Sequence, residues 1–190
     1  MKARCGVAVA LLLALLARGL RAEFSSSQAA ASLQDTAPEA ELKAFFLLNF
    51  SRFTEWPEGA FAASPDEFRI GVLGSESALE LIQRKLAGKS VGKRALKFVR
   101  GSTPGELKSC ALVFVTDAER AQIPAVLAEF KGRPILTVGE SEGFAESGGI
   151  LNFYVEENKV KYEINPDALS RAQLKATKLI VAAPKKVKDR

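Results

Sequence analysis

The chain has 190 residues, 47% of them apolar and 26% charged, enough for one packed domain and far from the low-hydrophobicity balance of a disordered chain. It contains no histidine, which excludes Ser-His-Asp and Cys-His catalysis and most zinc sites. The formal charge of +5 belongs to the two ends: residues 23–183 carry 19 basic against 21 acidic side chains, which is no signature of nucleic-acid binding.

Residues 1–22 place Lys2 and Arg4 before an apolar run from Gly6 to Ala17, the pattern of a cleaved secretory signal peptide. The run is too short to span a bilayer, which needs about 20 residues. Residues 23–37, rich in Ser, Ala and Gln, read as a flexible leader, 38–183 as a single domain and 184–190 as a basic tail. The spacing of Leu42, Phe45, Phe46, Phe50 and Phe53 predicts an amphipathic helix over 39–54, with Lys43 and Ser51 on the opposite face. Asn49 falls in the middle of that apolar face, so it is predicted to be a buried amide needing partners: either tying down a neighbouring loop or serving as a polar handle in a pocket. Trp56-Pro57 ends the helix, because a residue before proline is pushed out of the α region.

Beyond it, short apolar segments alternate with helical ones: strands at 68–74, 94–99, 111–116 and 134–139, helices at 75–88 and about 118–130. This alternation predicts a mostly parallel sheet covered on both faces. ILNFYVE and KVKYEIN, separated by Glu157-Asn158, predict an antiparallel hairpin. A last helix is predicted from Pro166 to about Ala183, capped by Asn165, with Ala168, Leu169, Ala172, Ala176, Leu179 and Ile180 as its apolar stripe. The fold class is α/β, a three-layer αβα sandwich whose mostly parallel sheet is extended by a C-terminal hairpin and helix.

Few residues point to chemistry. Gly74 and Ser75 follow the first strand, where α/β proteins often bind ligands, but neither a dinucleotide fingerprint nor a phosphate loop is present, and a tight turn capped by Ser75 or Ser77 is the expected reading. Glu140, Glu142 and Glu146 read as solvated carboxylates. The basic run from Arg84 to Lys108, with Glu106 as its one acid, reads as a solvated face. With Cys5 inside the signal peptide, Cys110 is an unpaired thiol before the apolar run ALVFV, expected to be buried and inert. No cofactor, metal or catalytic residue is predicted.

LKAFFLLNFSRFTEWP (42–57), IGVLG (70–74), CALVFV (110–115), SGGILNF (147–153) and VKYEINPDAL with LKATKLIVAA (160–183) together resemble the YfiR-like periplasmic proteins. The resemblance covers roughly residues 38–183, and its most specific piece is the spacing of Asn49, Phe50, Phe53, Trp56 and Pro57. It implies a periplasmic, commonly dimeric regulator without catalytic activity. Such a regulator would bind an inner-membrane sensor protein, most often to restrain a diguanylate cyclase and lower cyclic-di-GMP and biofilm formation. Contact with the membrane would then run only through that partner. Phe45, Asn49, Arg52, Phe53, Trp56 and Pro57 are the expected partner or dimer surface, with Gly74 and Ser75 as a possible ligand turn. The competing functional reading is a periplasmic small-molecule binding module or the partner of a sensor kinase. The resemblance also implies a disulfide between the first sheet strand and the Cys110 position, and a second near the later hairpin. Here Gly71 stands where the first partner cysteine would be, and the second pair is absent.

Overall fold

In a computed structural model the described residues are 37–176, 183 and 185–189. The expected signal peptide and nearly all of the leader lie outside them, as do Leu179 and Ile180. The chain divides into two compact units, Met1–Ala37 and Pro38–Arg190, and the account below concerns the second. Among the described residues no helix is long and apolar enough to cross a membrane.

The chain opens with α1 (Ala37–Phe53) and a two-residue strand β1 (Thr54–Glu55). The alternating part follows as β2 (Glu67–Leu73), α2 (Glu76–Lys85), β3 (Ser90–Val91), β4 (Arg94–Gly101), β5 (Leu112–Val115), α3 (Ile123–Phe130) and β6 (Leu136–Gly139). It closes with β7 (Leu151–Glu156), β8 (Lys159–Ile164), α4 (Pro166–Arg171), β9 (Lys175–Ala176) and β10 (Lys185–Lys186). One sheet runs in the order β10-β8-β7-β6-β5-β2-β4-β3, and β1 pairs separately with β9. From β4 across to β7 neighbouring strands are parallel; β3–β4 and β7–β8 are antiparallel. Every residue of β5 and β6 is buried, as expected of parallel strands covered on both faces.

α1 and α2 bury Leu47, Phe50 and Ile82 on one face with Phe68, Ile70 and Leu112, and Leu169 of α4 joins the same cluster. On the other, α3 packs Ile123, Val126 and Phe130 with Leu107, Val113 and Val115. The three-layer αβα arrangement is therefore as the alternation of segments predicts. Glu157 and Asn158 both adopt positive φ, 52° and 57°, giving the left-handed two-residue turn that matches the twist of a hairpin. Gly149 is required by close approach: a Cβ there would stand 2.2 Å from Phe144 Cε1, and Phe144 is fully buried.

Four expectations are corrected. First, α1 is rotated on the sheet. Leu42 and Phe45 are 43% and 42% exposed and Asn49 is exposed, whereas Lys43 and Ser51 are buried. The cause is a second apolar arc, Ala44, Leu47 and Leu48, which together with Phe50 outcompetes the first. Its two polar members are satisfied locally, Ser51 Oγ donating to Leu47 O at 2.8 Å and Lys43 Nζ lying 2.7 Å from Glu39 and 2.8 Å from Glu140. Glu140 is thus an ion-pair partner and no solvated carboxylate, while Glu142 is exposed as expected. Second, the segment before α3 is a 3-10 helix, Asp117–Gln122, and the α-helix starts only at Ile123 with Pro124 in its first turn.

Third, the last helix stops at Arg171. Gln173 takes φ +57°, and Lys175–Ala176 turn away to pair with Thr54–Glu55. Ala168, Leu169 and Ala172 are buried as expected, but Ala176 belongs to a strand. Fourth, the basic tail is part of the fold: Lys185–Lys186 pair in parallel with Glu163–Ile164, Lys185 Nζ lies 2.6 Å from the buried Glu163 carboxylate, and Val187 is buried.

Candidate functional site

The residues singled out in the sequence fall into two groups on either side of one helix end. On the outer crest of α1, Leu42, Phe45, Asn49 and Arg52 follow one another at helical spacing and are all exposed. Half-buried Phe53 and Phe46 flank them, and Phe46 stacks on Phe50 and tilts against Phe153 and Tyr162. Arg52 fixes the C-terminal end of the crest, its Nε and Nη2 donating to Ser90 O at 3.1 and 3.0 Å. The crest is an apolar strip with an amide and a guanidinium at one end, a combination enriched in protein interfaces when it includes aromatic and arginine side chains.

Trp56 and Pro57 lie beneath this end and are half-buried. Trp56 Nε1 donates to Pro134 O at 3.0 Å, which secures the helix exit to the start of β6, and its ring meets Phe68 edge-on at 5.2 Å and Phe61 at 5.8 Å. Trp56 is therefore an anchor between elements, whereas Leu42, Phe45 and Asn49 of the crest are exposed. Between the α1 exit, the 57–65 turns and the β3–β4 hairpin lies an open groove of about 690 Å³ lined by Arg52, Trp56, Phe61, Phe68 and Arg94 among others. The Arg94 guanidinium sits 4.0 Å above the Phe61 ring. Two buried polar atoms without a partner border the groove, Thr54 Oγ1 and Arg94 Nε. Neither carries a sequence signal: Thr54 reads as the last residue of the predicted helix and Arg94 as the first of a strand.

The Gly74–Ser75 turn sits where the strand order reverses between β2 and β5, the usual ligand crevice of open α/β sheets. Here it is filled. A Cβ on Gly74 would stand 2.7 Å from Thr116, Arg100 Nε donates to Gly74 O, and Ser75 Oγ caps α2 by accepting from Ala78 N at 3.2 Å. Cys110 is a free, buried thiol, and burial, opposed only weakly by Arg69, pushes its pKa up to about 11. At neutral pH it is a small hydrophobe and a poor nucleophile. The basic run is dispersed: Lys85 pairs with Glu41, Arg100 with Glu76 and Lys108 with Glu129. Among the described residues no cluster of His, Cys, Asp and Glu could hold a metal ion.

The YfiR/HmsC-like family model matches residues 40–181. The chain belongs to the YfiR/HmsC-like family. No curated protein matches the chain. Among solved structures, the chain is similar to the ABC domain in complex with L-Trp from Streptococcus pneumonia. There the TM-score is 0.49 and the identity 11%, over 65% of this chain and 56% of that one; the chain spans a little over half the length of that protein.

Proposed function

We propose that this YfiR/HmsC-like protein is a periplasmic regulator that docks through the α1 crest on the sensory domain of an inner-membrane signalling protein. Its output in that role is restraint of a diguanylate cyclase, lowering cyclic-di-GMP and biofilm formation, with a homodimer as the working unit. The observation that carries the reading is the exposed apolar crest of Leu42 and Phe45 with Asn49 and Arg52 beside it, in a chain of this family. Leu42 and Phe45 are 43% and 42% exposed one helical turn apart, and this exposed apolar area, which adds nothing to the isolated fold, becomes favourable once a partner covers it. To act as a switch the protein must bind one state of its partner more tightly than the other, since equal affinity shifts nothing.

The test is intracellular cyclic-di-GMP in the native host after deletion of the gene and restoration with wild type, with a chain lacking residues 1–22, and with Leu42→Ser/Phe45→Ser. Restraint restored by the wild type alone supports the reading. Restoration by the double variant sinks the crest, and no rise on deletion sinks the cyclase. The alternative reading, a small-molecule binding module, is favoured by the groove with its two unpartnered polar atoms over the occupied Gly74–Ser75 turn, where a ligand would first have to break the cap and the Arg100 bond.

A further inference from the structure

A second cavity lies on the far side of α4, distinct from the crest and the groove. It holds about 380 Å³ between α3 and α4 and is walled by Leu127, Phe130, Ile150, Ala168 and Ala172. Arg171 and Asp189 stand at its margin. The Asp189 carboxylate is gripped there: Arg171 Nη2 donates to Oδ1 at 3.0 Å and lies 2.7 Å from Oδ2, and Asn165 Nδ2 donates to Oδ1 at 2.6 Å. Asn165 is completely buried, and its other bonds are already made, Nδ2 to Ala145 O at 2.7 Å and Oδ1 accepting from Ala168 N at 3.0 Å. One amide hydrogen is therefore left for which a carboxylate is the only acceptor in place.

We propose that Arg171 and Asn165 form a carboxylate-binding site at the mouth of the α3–α4 cavity, which Asp189 occupies as an internal pseudo-ligand until a small apolar carboxylate displaces it. A guanidinium paired with a buried amide donor is the recognition expected for a carboxylate head. The apolar wall fits the body of such a ligand. The volume, roughly a dozen waters at ~30 Å³ each, limits it to a small molecule. Displacement is cheap on the protein side. The Arg171–Asp189 pair is 39% and 41% exposed, and exposed pairs contribute little, so only the Asp189 side chain need swing away, while the strand upstream stays held by β8, by the Lys185–Glu163 ion pair and by Val187. Arg171, followed by Asn165, holds the Asp189 carboxyl below its ordinary range, so the resident group is an anion at neutral pH.

This inference is independent of the crest and its partner.

The test uses the full-length mature protein carrying Asp189→Ala, a second variant ending at Ala183, and 4-methylpentanoate as the probe, with 4-methylpentanamide as its uncharged isostere. Removing an internal competitor raises the apparent affinity by the inverse of the fraction of time the site stood open. Both variants are expected to bind the acid at least about tenfold more tightly than wild type, with methyl shifts in the NMR spectrum centred on the cavity residues Leu127, Ile150, Ala168 and Ala172. The amide is expected to give no saturable shift, and Asp189→Ala/Arg171→Met is expected to lose binding. Equal affinity in wild type and variants, binding that survives loss of Arg171, or binding of a peptide C-terminus in place of the free acid would each overturn the proposal.

Discussion

Gly71→Cys gives the sharpest test of the β2–β5 geometry. A Cβ on Gly71 would stand 3.0 Å from Cys110 Sγ and 3.4 Å from Cys110 Cβ. Two bonds of a disulfide with S–S near ~2.05 Å put a Cβ about 3 Å from the far sulfur, and Cβ atoms of a bridge lie ~3.5–4.5 Å apart. The position is thus within about 0.1 Å of bridging geometry, which is where the family resemblance places a cysteine. Closing the loop between residues 71 and 110 removes about 4 kcal/mol of unfolded-chain entropy. Against this stands Leu107 Cδ2, 3.0 Å from the new Cβ, a tight contact that costs about 1 kcal/mol. The net gain is about 3 kcal/mol, or a Tm higher by about 10 °C for a domain of this size. Thermal and urea unfolding of the variant with and without reductant reads it directly, and thiol titration counts the bridge. The oxidised form should melt well above wild type and the reduced form slightly below it. A variant that keeps two free thiols under oxidised glutathione, or whose oxidised form melts no higher than its reduced form, refutes the geometry.

Lys43→Met should destabilise by about 2 kcal/mol, less than the ~3–5 of a fully buried broken pair, because it strands Glu140; Glu140→Gln in the same chain should recover most of the loss. Burial lowers the Lys43 pKa, but the bonds and charges of Glu140 and Glu39 outweigh it and leave it above 10.5. Its contribution is therefore fully present at neutral pH and is lost as pH rises through that raised value, so wild type and Lys43→Met should converge in urea melts only in strong alkali. Cys110, with its thiol pKa near 11, should react with iodoacetamide at neutral pH at the rate of unfolding, and urea should speed the reaction by orders of magnitude; fast labelling of the native protein would count against its burial. Gly149→Ala should cost about 3 kcal/mol or prevent folding, since the new methyl overlaps the buried Phe144 ring, and Gly149→Ala/Phe144→Leu should regain part of it in the same melt.

The sequence by itself determined the architecture, because alternating short apolar strands and helices have one economical solution, and the apolar runs of β5 and β6, buried throughout, leave no solvent side at the centre of the sheet. It also determined the punctuation: Ser75 and Asn165 cap their helices, and Glu157-Asn158 turn the hairpin. The family resemblance added a role that no residue pattern contains. What the sequence left open is orientation. α1 has apolar residues around most of its circumference, so periodicity cannot choose which arc faces the sheet. Lys43 chooses it only together with Glu140, 97 positions away, and the choice moves Asn49 from core to surface.

The last helix was misleading for the same reason. Its apolar stripe continues past Arg171, but pairing of Lys175–Ala176 with β1 and of Lys185–Lys186 with β8 competes with helical propensity, which is too weak to prevail against tertiary contacts. The carboxylate site shows the limit most clearly. Arg171, Asn165 and Asp189 are unremarkable in sequence, and only folding brings a tail carboxylate onto a buried amide that has one hydrogen to spare.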